Sequence, residues 1–399
     1  MKQVFAMAQR AVIAGDAPAL DRLLREHPEL RQHHPPAYVP SGPGPRYESA
    51  AESIIAREQH FESYARFLEH VEARRDPDSP VARFEDAAEA VISGDAATLQ
   101  HLLREHAELI RARSARTHHS TLLHYVGANG IEGFRQKTPP NAVQVVELLL
   151  EAGADVNAEA DMYGGHSTTL GLVATSIHPM LAGVQLALLE KLLRHGARLE
   201  DSPGAAVRGC LANGRGEAAA FLAAHGAHLD LEGAAGVGRL DVVRGFFHAD
   251  GSLRAGATSE QLRSGFAWAC QFGRTEVVEF LLQRRMSPEA ILPHDGQTGL
   301  HWAAYGGHAD TVKVLLDHHA PVNARDQHFK GTPLGWAIYG WGERHSEPRA
   351  SRYYEVVELL VAAGATVDPE WLNEEDRGFP LETMLGDDPR MRAALGRGL

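Results

Sequence analysis

The sequence predicts an all-α solenoid: helix–turn–helix units joined by short β-hairpin loops, with helical caps at both ends. Tryptophan recurs every 34 residues, at Trp268, Trp302 and Trp336, inside three similar stretches. These stretches are "GFAWACQFG" (265–273), "GLHWAAYGG" (299–307) and "PLGWAIYGW" (333–341). A second apolar run of helical spacing, such as "TVKVLLDHH", follows each of them. A helix pair that is apolar on two sides cannot bury both sides alone, so neighbouring pairs must stack.

The composition limits the classes of partner. Of the 399 residues, 44% are hydrophobic, which is enough for one large core or several small ones. The net charge of −13 argues against a nucleic-acid partner, because proteins that hold phosphate backbones carry a basic face. Anionic lipid surfaces would repel the same charge, and no apolar stretch reaches the roughly 18 residues that span a bilayer. We therefore expect neither a nucleic-acid nor a membrane partner.

The cysteines and the N-terminus indicate the compartment. Cys210 and Cys270 lie far apart without the spacing of a metal site, so neither a disulfide framework nor a zinc site is expected. The first residues, "MKQVFAMAQRAVIAGD", lack the uninterrupted apolar region of a secretory leader. The prediction is a reducing, cytoplasmic setting. Arginine far outnumbers the five lysines, which is typical of a GC-rich bacterial gene.

The clearest unit spans 294–324 and reads "HDGQTGLHWAAYGGHADTVKVLLDHHAPVNA". It resembles the ankyrin repeat, whose pattern is a turn, then T-P-L-H-x-A-A-x-x-G, then a V-V-x-L-L-L helix that ends in G-A-D-V-N-A. About seven such units follow one another over residues 116–368. The resemblance implies that the chain recognises another protein through a concave groove and hairpin tips, and it implies no chemistry.

The two ends are predicted to be degenerate caps. "AVIAGDAPALDRLLREHPEL" (11–30) returns as "AVISGDAATLQHLLREHAEL" (90–109), and each looks like a helix pair without the TPLH signature. Terminal repeats are expected to be more polar, because one face of each is exposed to solvent. The expected N-terminal segments are a helix pair at 1–32, a Pro/Gly-rich loop at 33–47, and a helical region at 48–115 that begins with an amphipathic helix around 48–74. A helical cap is expected at 369–399.

The ends of the second helices carry a turn signal. The glycines of four "GA" pairs fall where a residue with positive φ is wanted after a helix; they are Gly153, Gly196, Gly226 and Gly364. Several histidines stand just before these ends and are expected to interact with the last carbonyl groups; they are His195, His225, His318 and His319.

Aromatic residues point to the binding face. We expect the three periodic tryptophans to be mostly core, because the period follows from the repeat length. In the family, the two positions that follow the "AA" pair commonly face the groove, and here they include Phe272, Tyr305 and Tyr339. Tyr305 and Tyr339 should stand one helix-packing distance apart, on the order of 10 Å. The candidate partner-binding set is Phe272, Trp302, Tyr305, Trp336, Tyr339 and Trp341.

A second hypothesis places an enzyme or small-molecule site in the elaborated repeats at 116–183. The insertion "IEGFRQKTPPN" (131–141) and the loops at 161–183 exceed the minimum of a repeat, and such loops are often functional. The catalytic candidates on this hypothesis are His124, Asp161 and His166. The candidate ligand pocket comprises Tyr125, Arg135, Tyr163, His166 and His178. Known metal and nucleotide motifs are absent, so we predict no metal or cofactor and favour a binding protein over an enzyme.

Overall fold

The computed structural model describes residues 2–28, 30, 49–199, 204–292, 296–344, 351–367, 385 and 388–396. The chain forms two compact units, Met1–Leu199 and Glu200–Leu399. Both are mainly helical, as the sequence predicts. None of the helices in the described residues is long and apolar enough to cross a membrane.

The first unit begins with four helices and continues with paired ones. The described α-helices are α1 Lys2–Ala14, α2 Ala17–Glu26, α3 Ala50–Glu58, α4 Tyr64–Arg74, α5 Pro80–Ser93, α6 Ala96–Glu105, α7 Ala142–Glu151, α8 Thr169–Thr175, α9 Ile177–Leu181 and α10 Gln185–Arg194. Three 3₁₀ helices lie among them, at Ala107–Ile110, Leu122–Gly127 and Gly133–Arg135. The strands β1 (Glu159–Ala160) and β2 (Ser167–Thr168) pair antiparallel and form one hairpin between repeats.

The second unit consists of helix pairs in sequence. Its described helices are α11 Ala205–Ala212, α12 Gly216–Ala224, α13 Leu231–Val237, α14 Leu240–Gly245, α15 Ser259–Gln271, α16 Thr275–Gln283, α17 Gly299–Gly306, α18 Ala309–Asp317, α19 Pro333–Arg344, α20 Arg352–Ala362 and α21 Pro389–Leu395. The first helices of the pairs stack in the order α11, α13, α15, α17, α19. The second helices α14, α16, α18 and α20 stack beside them in the same order. This is the two-layer packing that a solenoid of helix pairs requires.

The helix ends confirm the glycine prediction. Gly153, Gly196, Gly226 and Gly364 follow the second helices with φ between 85° and 95°. His195 and His225 donate from Nδ1 to the carbonyl oxygens of Lys191 and Phe221, at 2.9 and 2.8 Å. In two other pairs, Arg285 and His319 themselves hold the positive φ, at 69° and 63°.

Two elements differ from the expectation. Residues 48–74 form not one helix but α3 and α4, because His60 adopts a positive φ of 57° between them. In the repeat at 116–157, the first helix is the 3₁₀ helix Leu122–Gly127, which ends where Ala128 takes a φ of 46°. There the chain leaves the helix and enters the insertion, whose Glu132 and Arg135 turn inward.

The predicted segment boundaries at 32, 47, 115 and 368 stay predictions. The Pro/Gly-rich loop at 33–47 lies outside the described residues. Of the C-terminal cap at 369–399, the described part holds Leu385 and the helix α21, which packs against α20.

Candidate partner-binding surface

Four aromatic side chains meet where α17 and α19 pack side by side. Trp302 and Tyr305 lie on α17, and Trp336 and Tyr339 lie on α19; we call these four residues the aromatic cluster. The rings of Tyr305 and Tyr339 are stacked, with centroids 6.2 Å apart and planes 19° from parallel. Trp336 presents near-perpendicular contacts to Trp302 at 5.4 Å and to Tyr305 at 5.8 Å. Both arrangements are favoured by the ring quadrupoles, so the cluster is held in a defined geometry.

The two tyrosine rings are closer than the expected helix spacing because glycines let the helices approach. A Cβ on Gly340 would lie 2.5 Å from the carbonyl oxygen of Tyr305. A Cβ on Gly306 would lie 2.6 Å from the carbonyl oxygen of Gln271 on the preceding repeat. Only glycine permits such contacts at these two positions.

A buried carboxylate anchors the cluster to its hairpin. Trp336 Nε1 donates to Asp326 Oδ2 at 3.0 Å. Asp326 is 1% exposed and also accepts from the backbone N–H groups of His328, Phe329 and Gly331. Sequence reasoning missed this residue, although an aspartate that precedes a Gly-Thr-Pro turn is the usual residue for capping loop N–H groups.

The cluster lies partly at the surface. Tyr339 is 46% exposed, whereas Trp302, Tyr305 and Trp336 are half-buried. The indole Nε1 of Trp302 is buried without a hydrogen-bond partner among the described residues. The tryptophans are therefore neither wholly core nor wholly surface. Both Trp302 and Trp336 contact the ring of Tyr305 edge-on.

Two predicted contact residues lie elsewhere and are corrected. Trp341 is 3% exposed and belongs to the core of the second unit. At about 100° per residue it lies roughly 140° around α19 from Trp336, on the side that packs inward. Phe272 is half-buried, and its Cδ1 lies 2.6 Å from where a Cβ on Gly216 would stand. Its ring thus covers the start of α12 rather than joining the aromatic cluster.

The histidine that the second hypothesis made catalytic is structural. His124 is fully buried; its Nδ1 accepts from the backbone N–H of Thr121 at 3.2 Å. Its Nε2 lies 3.0 Å from the carbonyl oxygen of Ala158 and 3.2 Å from that of Ser167, and so carries the proton. Burial lowers the pKa of His124 to about 4, against the effect of these carbonyl groups. A neutral ring with both nitrogens engaged has no capacity left for chemistry.

The other members of that hypothesis are dispersed. Asp161 pairs with His119 at 2.8 Å, and His166 pairs with Glu159 at 2.7 Å, both at the surface. The exposed Tyr163 donates to Asn129 Oδ1. His178 is half-buried on α9. These side chains do not converge on one site with His124, and the described residues contain no group of three or more His, Cys, Asp or Glu placed to hold a metal ion.

Tyr125 and Arg135, by contrast, come together in the interior, beside charges that the sequence did not single out. Arg135 Cζ lies 5.4 Å from the centre of the Tyr125 ring. Arg135 joins Glu85, Arg116 and Glu132 in what we call the ionic cluster, whose members are all 5% exposed or less. The sequence offers one indication of this cluster, which is the charged residue Glu85 on the otherwise apolar face of α5.

In the ionic cluster, positive and negative side chains alternate in the order Arg135, Glu85, Arg116 and Glu132. Arg135 Nη1 donates to Glu85 Oε2 at 2.8 Å, and Arg116 Nη2 donates to the same oxygen at 3.4 Å. Arg116 also pairs through Nε with Glu132. Burial alone would raise the pKa of Glu85, but the two guanidinium groups outweigh burial and lower it. Burial opposes ionisation of Glu132 too, yet His118 and the two arginines lower its pKa to about 2.

Comparison with known proteins places part of this architecture in a family. Residues 266–370 match the family model of ankyrin repeats, in three copies. Residues 266–370 are ankyrin repeats. The ankyrin repeat domain of human ASB11 is similar to this chain at 18% identity, over 71% of this chain and 99% of that one, with a TM-score of 0.35. No curated protein matches.

The match covers the aromatic cluster completely. The matched residues run from the second half of α15 to α20 and include both helices that carry the cluster. His301 in the TPLH position forms the bonds of His124 again: Nδ1 accepts from Thr298 N, and Nε2 donates to Gly331 O at 3.1 Å. A buried histidine therefore has the same structural role in both units. The ionic cluster lies outside the matched residues.

Proposed function

We propose that this chain is a cytoplasmic protein-binding scaffold or adaptor that recognises a partner protein through the aromatic cluster. Ankyrin repeats are in general modules of protein–protein interaction. The observation that carries the proposal is Tyr339, which is 46% exposed while its ring is stacked on Tyr305, and the ring of Tyr305 in turn contacts Trp336 edge-on. Cys210 and Cys270 are buried free thiols, which suits a reducing compartment.

The physical argument is that a pre-ordered aromatic surface binds at low entropic cost. Tyrosine offers a large apolar ring and a polar tip with few rotatable bonds. The stacked and edge-on contacts already restrict the ring of Tyr305, so a partner need not order it. Binding energy in interfaces concentrates in such residues, and truncating one costs at least about 1 kcal/mol.

The first experiment compares affinity capture from lysate of the source organism by wild type and by the Tyr305→Ala, Tyr339→Ala variant. A captured protein is identified by mass spectrometry, purified and titrated against both forms. We expect the double variant to bind it at least about fivefold more weakly.

The matched control is Tyr163→Ala, which removes an exposed tyrosine from the first unit and should leave binding unchanged. Thermal unfolding of each variant checks that folding is intact. Equal affinity of the folded double variant and wild type would refute the placement of the binding surface.

A further inference from the structure

A cavity of about 390 Å³ opens beside the ionic cluster in the first unit. Its walls carry four arginines, which are Arg74, Arg75, Arg116 and Arg135, and one acidic residue, Glu89. Arg116, Arg135 and Arg75 pair with Glu132, Glu85 and Glu72, so among the described ion pairs Arg74 is the wall cation that has none. The cavity is within the size range of small-molecule sites.

Arg135 keeps an unused donor on this side, whereas the nitrogens of Arg116 are engaged by Gln59, Glu85 and Glu132. The nearest carboxylate contact of Arg135 Nη2 is Glu89 at 3.7 Å, beyond hydrogen-bond distance, and the side chain of Glu89 is 59% exposed. Arg135 Nη1, in contrast, is occupied by Glu85 at 2.8 Å. The ion pair therefore holds a guanidinium fork rigidly at the wall of the cavity while half of the fork has no strong acceptor.

Two further groups add donors. Arg74 at the end of α4 forms no ion pair with any described carboxylate, whereas its neighbour Arg75 pairs with Glu72. His70 is 7% exposed, lines the cavity, and has no hydrogen-bond partner for Nδ1 within the described part of the chain. Burial lowers the pKa of His70, so its neutral ring can donate or accept one bond.

Apart from Gln59, the remaining wall is apolar. Phe67 and Val71 on α4 and Phe134 in the insertion contribute side chains to it. A cavity with a cationic end and an aromatic wall has the chemistry of a site for an amphiphilic anion. Buried ion pairs add little to stability compared with apolar residues, so fold stability alone does not account for the ionic cluster.

We propose that this cavity binds a small organic carboxylate, with its head group on Arg135 and Arg74 and its apolar body against Phe67, Val71 and Phe134. The planar guanidinium matches a carboxylate through two parallel hydrogen bonds. The bound carboxylate replaces the weak contact of Glu89 with Arg135.

The test is calorimetric titration of the full chain with three probes: phenylacetate, acetate, and the neutral 2-phenylethanol. Phenylacetate should bind saturably. Acetate, which lacks the aromatic ring, and 2-phenylethanol, which lacks the carboxylate, should each bind at least about tenfold more weakly. Arg74→Ala should weaken phenylacetate binding about fivefold, and Glu89→Gln should strengthen it, because a competing carboxylate is removed.

Arg111→Ala is the control, since this exposed arginine lies outside the cavity and its loss changes the net charge by the same amount. It should bind phenylacetate as wild type does. Three outcomes overturn the proposal: no saturable binding of phenylacetate, equal binding of the three probes, or wild-type affinity in both the Arg74→Ala and the Glu89→Gln variants.

Discussion

At the scale of single residues, buried side chains decide how the exposed ones are presented. Asp326 accepts three hydrogen bonds from the backbone of its hairpin and one from Trp336, and Trp336 in turn contacts the ring of Tyr305. The placement of Tyr339 thus depends on a carboxylate that no partner would touch.

Asp326→Asn should destabilise the second unit and loosen the aromatic cluster. The amide NH₂ would face the donors Gly331 N and Trp336 Nε1 in place of Oδ2, leaving buried donors unsatisfied, at a cost of about 2 kcal/mol. Urea titration measures the free energy of unfolding, and near-ultraviolet circular dichroism reports the environment of the tryptophan side chains. Asp317→Asn, an exposed change on α18, should alter neither quantity. A wild-type dichroism spectrum in Asp326→Asn would contradict the anchoring role.

At the scale of elements, the position after the second helix is filled by glycine in four repeats and by Arg285 or His319 in two others. Four second helices end in a positive-φ glycine, but α18 ends in His319 at φ 63°. The same backbone bonds form there, since Ala320 N donates to Leu315 O at 2.9 Å as Ala154 N donates to Leu149 O at 3.0 Å. The capping motif is therefore kept at the cost of strain in the histidine backbone.

His319→Gly should stabilise the protein by about 1 kcal/mol, because glycine adopts the left-handed conformation without a Cβ penalty. His318→Gly is the matched control. His318 has a φ of −92°, so the same change there should destabilise through the greater freedom of the unfolded chain. Thermal unfolding of the two variants decides the matter. Equal shifts in the same direction would rule out backbone strain at position 319.

At the scale of the whole molecule, each unit carries a buried, neutral TPLH histidine, His124 in the first and His301 in the second. Burial lowers the pKa of both, to about 4 for His124. The unfolded state then binds more protons than the folded state between pH 6.5 and about 4, so the free energy of unfolding falls as the pH falls through that window.

We expect His124 alone to account for a loss of about 2 kcal/mol in the first unit between pH 7 and pH 5. Urea unfolding at the two pH values measures the loss. His124→Asn lacks the titrating group and should show a shallower dependence on pH, whatever its stability at pH 7. Parallel pH profiles for the variant and wild type would show that His124 is not the source.

The sequence by itself determined the repeat and the features that follow from it. The 34-residue tryptophan interval, the paired apolar runs and the glycines after the second helices depend on properties that act within one repeat. Helical periodicity and left-handed caps are such local properties, so the helix pairs and their stacking could be predicted, whereas the role of Tyr305 and Tyr339 in binding stays a prediction.

Only the tertiary structure decided which side chains meet. Arg135 and Glu85 are 50 residues apart in sequence, and no periodicity links an insertion to the face of α5. The burial of Trp341 follows from the packing of the second unit, and the 6.2 Å spacing of the tyrosine rings from the close approach of α17 and α19 at Gly340. These contacts join different elements and depend on packing that no single repeat encodes. For the same reason, Tyr125 and Arg135, which were predicted to line a pocket, lie together in the interior, where Arg135 belongs to the buried ionic cluster.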